Sequence, residues 1–373
     1  MFNDDVLLNK PIVETDPLYQ FLNTCSRSFK QFKILDTAIK RGFFNHLDEW
    51  KSAVDLAKEL GTNPDLTDCI CMSLAEIGFI EQSGEVFKNS ELSTCYFKSE
   101  SPYFQGEVLF NIKNGFSLWE RLDEVIENGP IKVSEADYFK DNLIHSLASE
   151  IMCGELQKTT SLIASLPEFS RAEKLLDLGG GHGLYSVALS RLNQNLEIDI
   201  YDFADVIEAT QKYLEKYDGH RIDLKPGNLF MDAIGNDYDL VLFSYNPGGK
   251  NPELVPKIFS ALKEGGLFIS KHIFYGKDEG SRDPLLDLEY NLSDFEGVKK
   301  GRKIYSFARD LTFEAYLSLL EQYFTIAQIV ETEDFATEPL SKFGDALEAK
   351  MIIAKKKAKK QCVERDEVEA IGG

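Results

Sequence analysis

Apolar positions recur at two different spacings along this chain, and the change falls near residue 172. Before it the spacing is helical. In FKILDTAIKRGFFNHL (32–47), Ile34, Leu35, Ala38, Ile39 and Phe43 share one helical face. SAVDLAKELG (52–61) reads as a short amphipathic helix with Gly61 as its stop. TNPDLTDCICMSLAEIGF (62–79) opens with Thr62 or Asn63 as cap and Pro64 in the first turn. Two short strand-like pieces around Ser83-Gly84 then read as a hairpin. Helix, helix and hairpin in that order predict a winged helix. Residues 103–166 continue as helices, YFQGEVLFNIKNGFSLWERLDEVI and ASEIMCGELQKTTSLIASL, with a turn at Asn128-Gly129-Pro130 between them.

From 172 onward short apolar runs alternate with helical segments. EKLLDLGGG, LEIDIYDF, RIDLKPGN, DYDLVLFSY and LFISKHIFY read as strands. LYSVALSRL, VIEATQKYLEKY and ELVPKIFSALKEGG read as helices between them. This order predicts a mostly parallel, doubly wound α/β sheet. An irregular charged segment is expected over 276–310. It is followed by the helix TFEAYLSLLEQYF and two last strands, TIAQIVET and AKMIIAKKK. The end of the chain reads as a frayed tail.

Charge narrows the possible partners. The 373 residues carry a formal net charge of −21, which argues against nucleic acid and anionic membranes. The helix over 64–79 bears Asp65, Asp68 and Glu76 and no Lys or Arg, the wrong sign for a DNA groove. Neither the acidic start MFNDDVLLNK nor any later run suggests a signal or a membrane span. Six scattered cysteines (Cys25, Cys69, Cys71, Cys95, Cys153 and Cys362) fit reduced thiols in a cytoplasm. No His, Cys or Asp grouping has metal-ligand spacing.

The chemistry concentrates in LLDLGGGHGLYSVAL (175–189), a strand, a glycine-rich turn and a helix. Glycines at 179, 180, 181 and 183 let a ligand approach the backbone closely, and the helix start favours an anionic group. The G-x-G-x-x-G spacing of dinucleotide sites is absent. Asp177 ahead of the turn makes D-x-G-G-G-x-G, an S-adenosylmethionine pattern. Asp202 ends the second strand, where a ribose-binding acid belongs; the plainer alternative is a helix cap. After the third strand, Asn228 can bond an adenine amine while Leu229 and Phe230 pack on the ring; the plainer alternative is a Pro-Gly turn.

With these motifs in view, residues 20–355 resemble the dimeric plant-type O-methyltransferases and their bacterial relatives. ILDTAIKRGFFNHL, DLAKELGTNPDLTDCICMSLAEIGFI and STCYF resemble that family's N-terminal dimerisation domain. LLDLGGGHG, YDFADVIE and GNLF resemble its cofactor motifs, and ALKEGGLFISK its entry to the fifth strand. The resemblance implies a class I methyltransferase, Rossmann-like sheet behind a helical winged-helix dimerisation domain. It also implies a homodimer, a small hydroxylated substrate, and S-adenosylmethionine yielding S-adenosylhomocysteine. The expected cofactor contacts are Gly179, Gly180, Gly181, Gly183, Asp202, Phe203, Asn228, Leu229, Phe230, Ser244 and Tyr245. Expected boundaries are 1–115 for the dimerisation domain, 116–171 for substrate-lining helices, 172–357 for the cofactor domain and 358–373 for a flexible tail.

One departure stands out. Where the family carries a His-Asp-Trp sequence with its general base, this chain has Ser244-Tyr245-Asn246-Pro247. Positioning alone can supply roughly 7–11 kcal/mol of rate enhancement, and a general base adds only about 10²–10⁴-fold. A thiol, an amine or an enol-like carbon therefore remains open as acceptor beside oxygen. Substitute proton acceptors are His272 after the fifth strand, His145 in LIHSLASEIM, and Tyr245; for each, simple packing is the alternative. His182 is expected to contribute backbone rather than ring. The functional expectation is methyl transfer to a small molecule. Its rivals are a cofactor-binding relative with other chemistry and a non-catalytic regulatory protein.

Overall fold

The computed structural model describes residues 7–8, 11–133, 143–246, 248–295, 306–335 and 349–358. Pro247, Cys362 and nearly all of the expected tail lie outside these residues. Two compact units divide the chain, Met1–Leu109 and Phe110–Gly373.

In the first unit, α1 (Asp16–Arg41) ends where Gly42 adopts a left-handed conformation, with φ 74. Phe43, expected on the same helical face, falls instead in a 3-10 turn over Phe43–Asn45 and is buried there with Phe44. The strand β1 (Lys51–Ser52) leads into α2 (Ala53–Leu60), capped by the Ser52 side chain and closed by Gly61. In α3 (Pro64–Glu76), Asn63 Oδ1 accepts the Leu66 N–H at 3.0 Å, so Asn63 is the cap and Thr62 is not. β2 (Ile80–Ser83) and β3 (Val86–Asn89) form the expected hairpin, with Ser83 opposite Val86. A short α4 (Glu91–Tyr96) follows. Phe43, Phe44, Leu47, Leu56, Leu74 and Phe87 form the core.

The second unit takes up most of α5 (Gly106–Trp119), then α6 (Leu122–Asn128) and β4 (Ile131–Val133). The helix expected across 148–166 is two helices, α7 (Ile144–Ile151) and α8 (Glu155–Ala164). Gly154 sits at φ 129, a conformation that breaks the helix and starts a new one at Glu155.

The sheet behind them is built from β5 (Lys174–Leu178), β6 (Glu197–Asp202), β7 (Ile222–Pro226), β8 (Tyr238–Ser244) and β9 (Leu262–Ile273). Between these run α9 (Leu184–Leu192), α10 (Ala204–Lys216) and α11 (Leu254–Ala261). Strand order is β11-β12-β9-β8-β5-β6-β7. The last five are mutually parallel; β12 (Ala349–Lys356) adds antiparallel to β9, and β11 (Phe324–Glu331) adds antiparallel to β12. Side-chain alternation divides the sheet between two cores. Ile269 and Ile273 of β9 pack with α7, α8 and α9, whereas Phe268 packs with α11 and with Tyr316 and Leu320.

The charged stretch expected to be irregular is partly ordered. It contains α12 (Pro284–Leu292) and β10 (Ser293–Phe295), the latter parallel to β4; α13 (Phe313–Tyr323) follows. The signal was local: Asp283 Oδ1 accepts the Leu285 and Leu286 N–H groups, and Pro284 occupies the first turn. Trp119 Nε1 donates to Glu289 Oε2 of this helix at 2.6 Å. Asp283→Ala should lower the unfolding free energy by about 1 kcal/mol. A thermal melt unchanged by the substitution would contradict this role for the cap.

Candidate active site

The parallel strands place their carboxyl ends in one row. Leu178 stands opposite Phe243, and Ser244 opposite Lys271. Strand order reverses between β5 and β8, the position where open α/β sheets bind ligands. A cleft lies there. Its lining includes Gly179–His182, Asp177, Tyr185 and Asp202 on one side and Ser244, Tyr245 and Asn246 on the other. Ile144, Leu147, Ile151 and Val206 make it apolar.

The glycine turn is held from several directions. Gly179 N–H donates to the Tyr201 carbonyl at 2.7 Å, and the Thr210 hydroxyl to the Gly181 carbonyl at 2.5 Å. Gly179, Gly181 and Gly183 all have positive φ. A Cβ at Gly179 would overlap the Asn246 side chain, whereas one at Gly181 would meet nothing, so the backbone at Gly181 is open to a ligand. Asp202 accepts the Gly181 N–H at 2.9 Å and the Phe203 N–H at 2.8 Å. Burial pushes its carboxyl up to about 6, against those two bonds. Asp177 is buried beneath the turn and takes the Ser186 hydroxyl at 2.6 Å. Burial, opposed by that bond and aided by Asp202, raises it to about 6 as well.

The expected proton acceptors are placed differently. His272 is 2% exposed and is not among the cleft-lining residues. Alternation along β9 turns it to the other sheet face, against Phe243 and Phe274 and over Gly249. Burial, then Lys250 and Lys271, hold its pKa well below the usual value. His145 lies on a side of α7 away from the lining residues Ile144, Leu147 and Ile151, and its Nδ1 is 2.8 Å from the Tyr213 hydroxyl. Tyr245 does line the cleft, at a non-glycine φ of 50. Its hydroxyl, however, is bonded to Glu155, and burial holds it protonated.

His182 contributes its ring as well as its backbone. Nδ1 accepts the Leu184 N–H at 3.1 Å, so the proton of the neutral ring is on Nε2. Burial, then Lys271, lowers its pKa to about 4. Ser244 Oγ is buried at the cleft and finds no hydrogen-bond partner among the described residues. Phe203, Asn228, Leu229 and Phe230 stand outside this lining. Asn228 Oδ1 accepts the Phe230 N–H at 2.9 Å in a local turn, and the Phe230 and Leu229 side chains cover Gly248.

Sequence reasoning missed Lys271, Glu155 and Tyr185, which meet behind the cleft wall. A lysine inside the apolar run LFISKHI was the available signal. Lys271 is fully buried, paired with Glu155, and donates to the Tyr185 hydroxyl at 2.6 Å.

Residues 131–293 match the O-methyltransferase domain. An uncharacterized protein of Methanocaldococcus jannaschii is 34% identical over 94% of this chain and its own whole length. Acetylserotonin O-methyltransferase of Gallus gallus is 24% identical over 66% of this chain and 78% of its own. The structure of human N-acetylserotonin methyltransferase in complex with S-adenosylmethionine superposes with a TM-score of 0.65. It is 19% identical and is matched over its whole length by 94% of this chain. This chain belongs to the O-methyltransferase family, and so to the class I enzymes that use S-adenosylmethionine.

Asp177 gives the site a pH signature. Its folded pKa, about 6, exceeds the ordinary 3.8. Between these values the unfolded chain loses the proton and the folded chain keeps it, so stability falls as pH rises from 4 to 6. The shift is worth about 2–3 kcal/mol. Asp177→Asn should reduce that slope by roughly half in melts of the ligand-free protein across this window, the raised Asp202 supplying the rest. A variant whose slope equals that of the native chain would refute the assignment.

Proposed function

We propose that this chain transfers a methyl group from S-adenosylmethionine to a small acceptor held on the Tyr245 side of the cleft. The carrying observation is the orphaned Ser244 hydroxyl facing a cleft whose other wall is the glycine turn and the Asp202 carboxylate. A buried hydroxyl left without a partner costs about 1–3 kcal/mol, and a bound ligand relieves it. The residues present fit the cofactor. Gly179, Gly180, Gly181 and Gly183 would let it approach the backbone, and Asp202 would accept ribose hydroxyls. Ser244 and Tyr245 would border its reactive end, and Phe203, Asn228, Leu229 and Phe230 would extend the site toward the base. When bound, it supplies an electrophilic methyl on a sulfonium and leaves as S-adenosylhomocysteine.

The protein's own part is then to orient the acceptor and exclude water. Among the described residues that line the cleft, the one imidazole is His182, held neutral with its proton on Nε2. It can donate a hydrogen bond to an acceptor oxygen or sulfur. A nucleophile ionised near neutrality, such as a thiol or an acidic phenol, suits this site better than an aliphatic alcohol. O-methylation remains the family's chemistry, and oxygen acidity decides which hydroxyls qualify.

We further propose a homodimer through the first unit. The first half of α1 is exposed along its length, with Leu18, Tyr19, Phe21, Leu22 and Phe29 all at least 48% accessible. Apolar side chains at this density on one helix call for a cover. The exposed apolar residues lie in the unit that resembles the family's dimerisation domain, so a second copy is the occupant proposed.

Two measurements test these readings. Methyl-labelled donor offered with thiols, phenols, amines and aliphatic alcohols should label thiols or acidic phenols roughly 100-fold faster than alcohols. Equal labelling would remove the argument from nucleophile acidity, and no labelling of any acceptor would favour a binding role. In sedimentation at micromolar concentration the native chain should run as a dimer and Phe21→Glu as a monomer; a native monomer would end the dimer proposal.

A further inference from the structure

A buried ion pair lies behind the part of the cleft wall formed by Tyr185 and Tyr245. The Lys271 side chain is fully buried, and Glu155 is mostly so. All three ammonium hydrogens have acceptors: Glu155, the Tyr185 hydroxyl at 2.6 Å and Thr159 Oγ1 at 3.4 Å. The ammonium lies 4.6 Å from the ring centroid of Tyr185 and 4.6 Å from that of Tyr245, and both rings line the cleft. Glu155 also accepts from Tyr185 at 3.1 Å and from Tyr245. Two opposite charges thus sit one ring's thickness behind the wall.

Their field reaches the cleft. At the lining residue His182 the two charges act with opposite sign, Lys271 lowering its pKa and Glu155 raising it. Glu155 likewise raises Tyr185 and Tyr245. The pair carries no net charge, and removing either member leaves one uncompensated charge behind the two tyrosines. The donor of methyl transfer carries a sulfonium charge that the product lacks, so the two ligands report such a charge differently.

We propose that the Glu155–Lys271 pair, acting through Tyr185 and Tyr245, balances the charge behind the cleft and so sets its relative affinity for the sulfonium donor and the neutral thioether product. This rests on the cleft being the cofactor site. With both charges present, the thioether can leave without the sulfonium being repelled. A lone ammonium disfavours the sulfonium, and a lone carboxylate favours it. The two residues are positioning residues: they touch the tyrosines, and the tyrosines face the ligand.

The test is calorimetry of S-adenosylmethionine and S-adenosylhomocysteine with the full chain, taking the ratio of the two dissociation constants. At partly screened separations one uncompensated charge should shift that ratio about five- to tenfold. Lys271→Met should shift it toward S-adenosylmethionine and Glu155→Gln toward S-adenosylhomocysteine. The double variant should return within about twofold of native. Ratios unmoved in folded single variants, or moved the same way by both, overturn the proposal. If neither single variant folds, the double variant decides: a ratio near native supports charge balance, and a shift beyond about fivefold overturns it. Native protein that binds neither ligand would overturn the cofactor reading itself. Native protein that binds both, with unmoved variants, overturns only the charge balance.

Discussion

An ammonium group enclosed in the second unit constrains everything around it. Taking Lys271 out of water costs several kcal/mol, and removing one partner from such a buried pair costs about 3–5 kcal/mol more. Four elements must therefore arrive together. β9 must present residue 271 to the helical layer of α7, α8 and α9. The break at Gly154 must start α8 at Glu155. α9 must carry Tyr185, and Tyr245, just after β8, must take a positive φ. The strain at Tyr245 is held by its own N–H bond to the Lys271 carbonyl at 2.8 Å and by the ring's contact with the ammonium.

The loop after β8 follows from the same arrangement. Its cation, Lys250, turns inward to Asp310 and the Ile273 carbonyl, both at 2.9 Å, and takes no place in the cleft lining. Asn246 binds the Gly248 N–H, so this lip is shaped by backbone bonds. Gly249 is required because the His272 ring occupies the space of a side chain there, and Gly248 because Phe230 does. Where the resemblance implies a His-Asp-Trp sequence, the described residues thus supply shape and, at Ser244, a hydroxyl with no hydrogen-bond partner among them. The proton chemistry expected of a base at that point has no counterpart among their side chains.

Much of the architecture was legible because local chemistry and global fold agree. The cap at Asn63, the stop at Gly61, and alternating strand and helix runs each act within a few residues, whereas the stop at Gly42 was passed over. α12 was missed although Asp283-Pro284 announced it, since the charged residues around it masked a short amphipathic pattern. The glycine turn with Asp177 and Asp202 was legible for a related reason. Backbone conformation and a carboxylate at a strand end are both set by residues adjacent in the chain.

Lys271 and His272 mark the limit. They are neighbours in an apolar run, and nothing in their order says which one faces the cleft. Period-two alternation sends one to each side, and only the packing of α7, α8 and α9 on one face and α11 and α13 on the other decides which side holds the cleft. By itself the sequence determined most of the elements, the sheet and the glycine turn, because these depend on spacing and on local backbone preference. Tertiary structure alone brought Glu155 to Lys271 across 116 residues and placed His145 and His272 off the cleft lining, because burial and partner choice are properties of the packed chain.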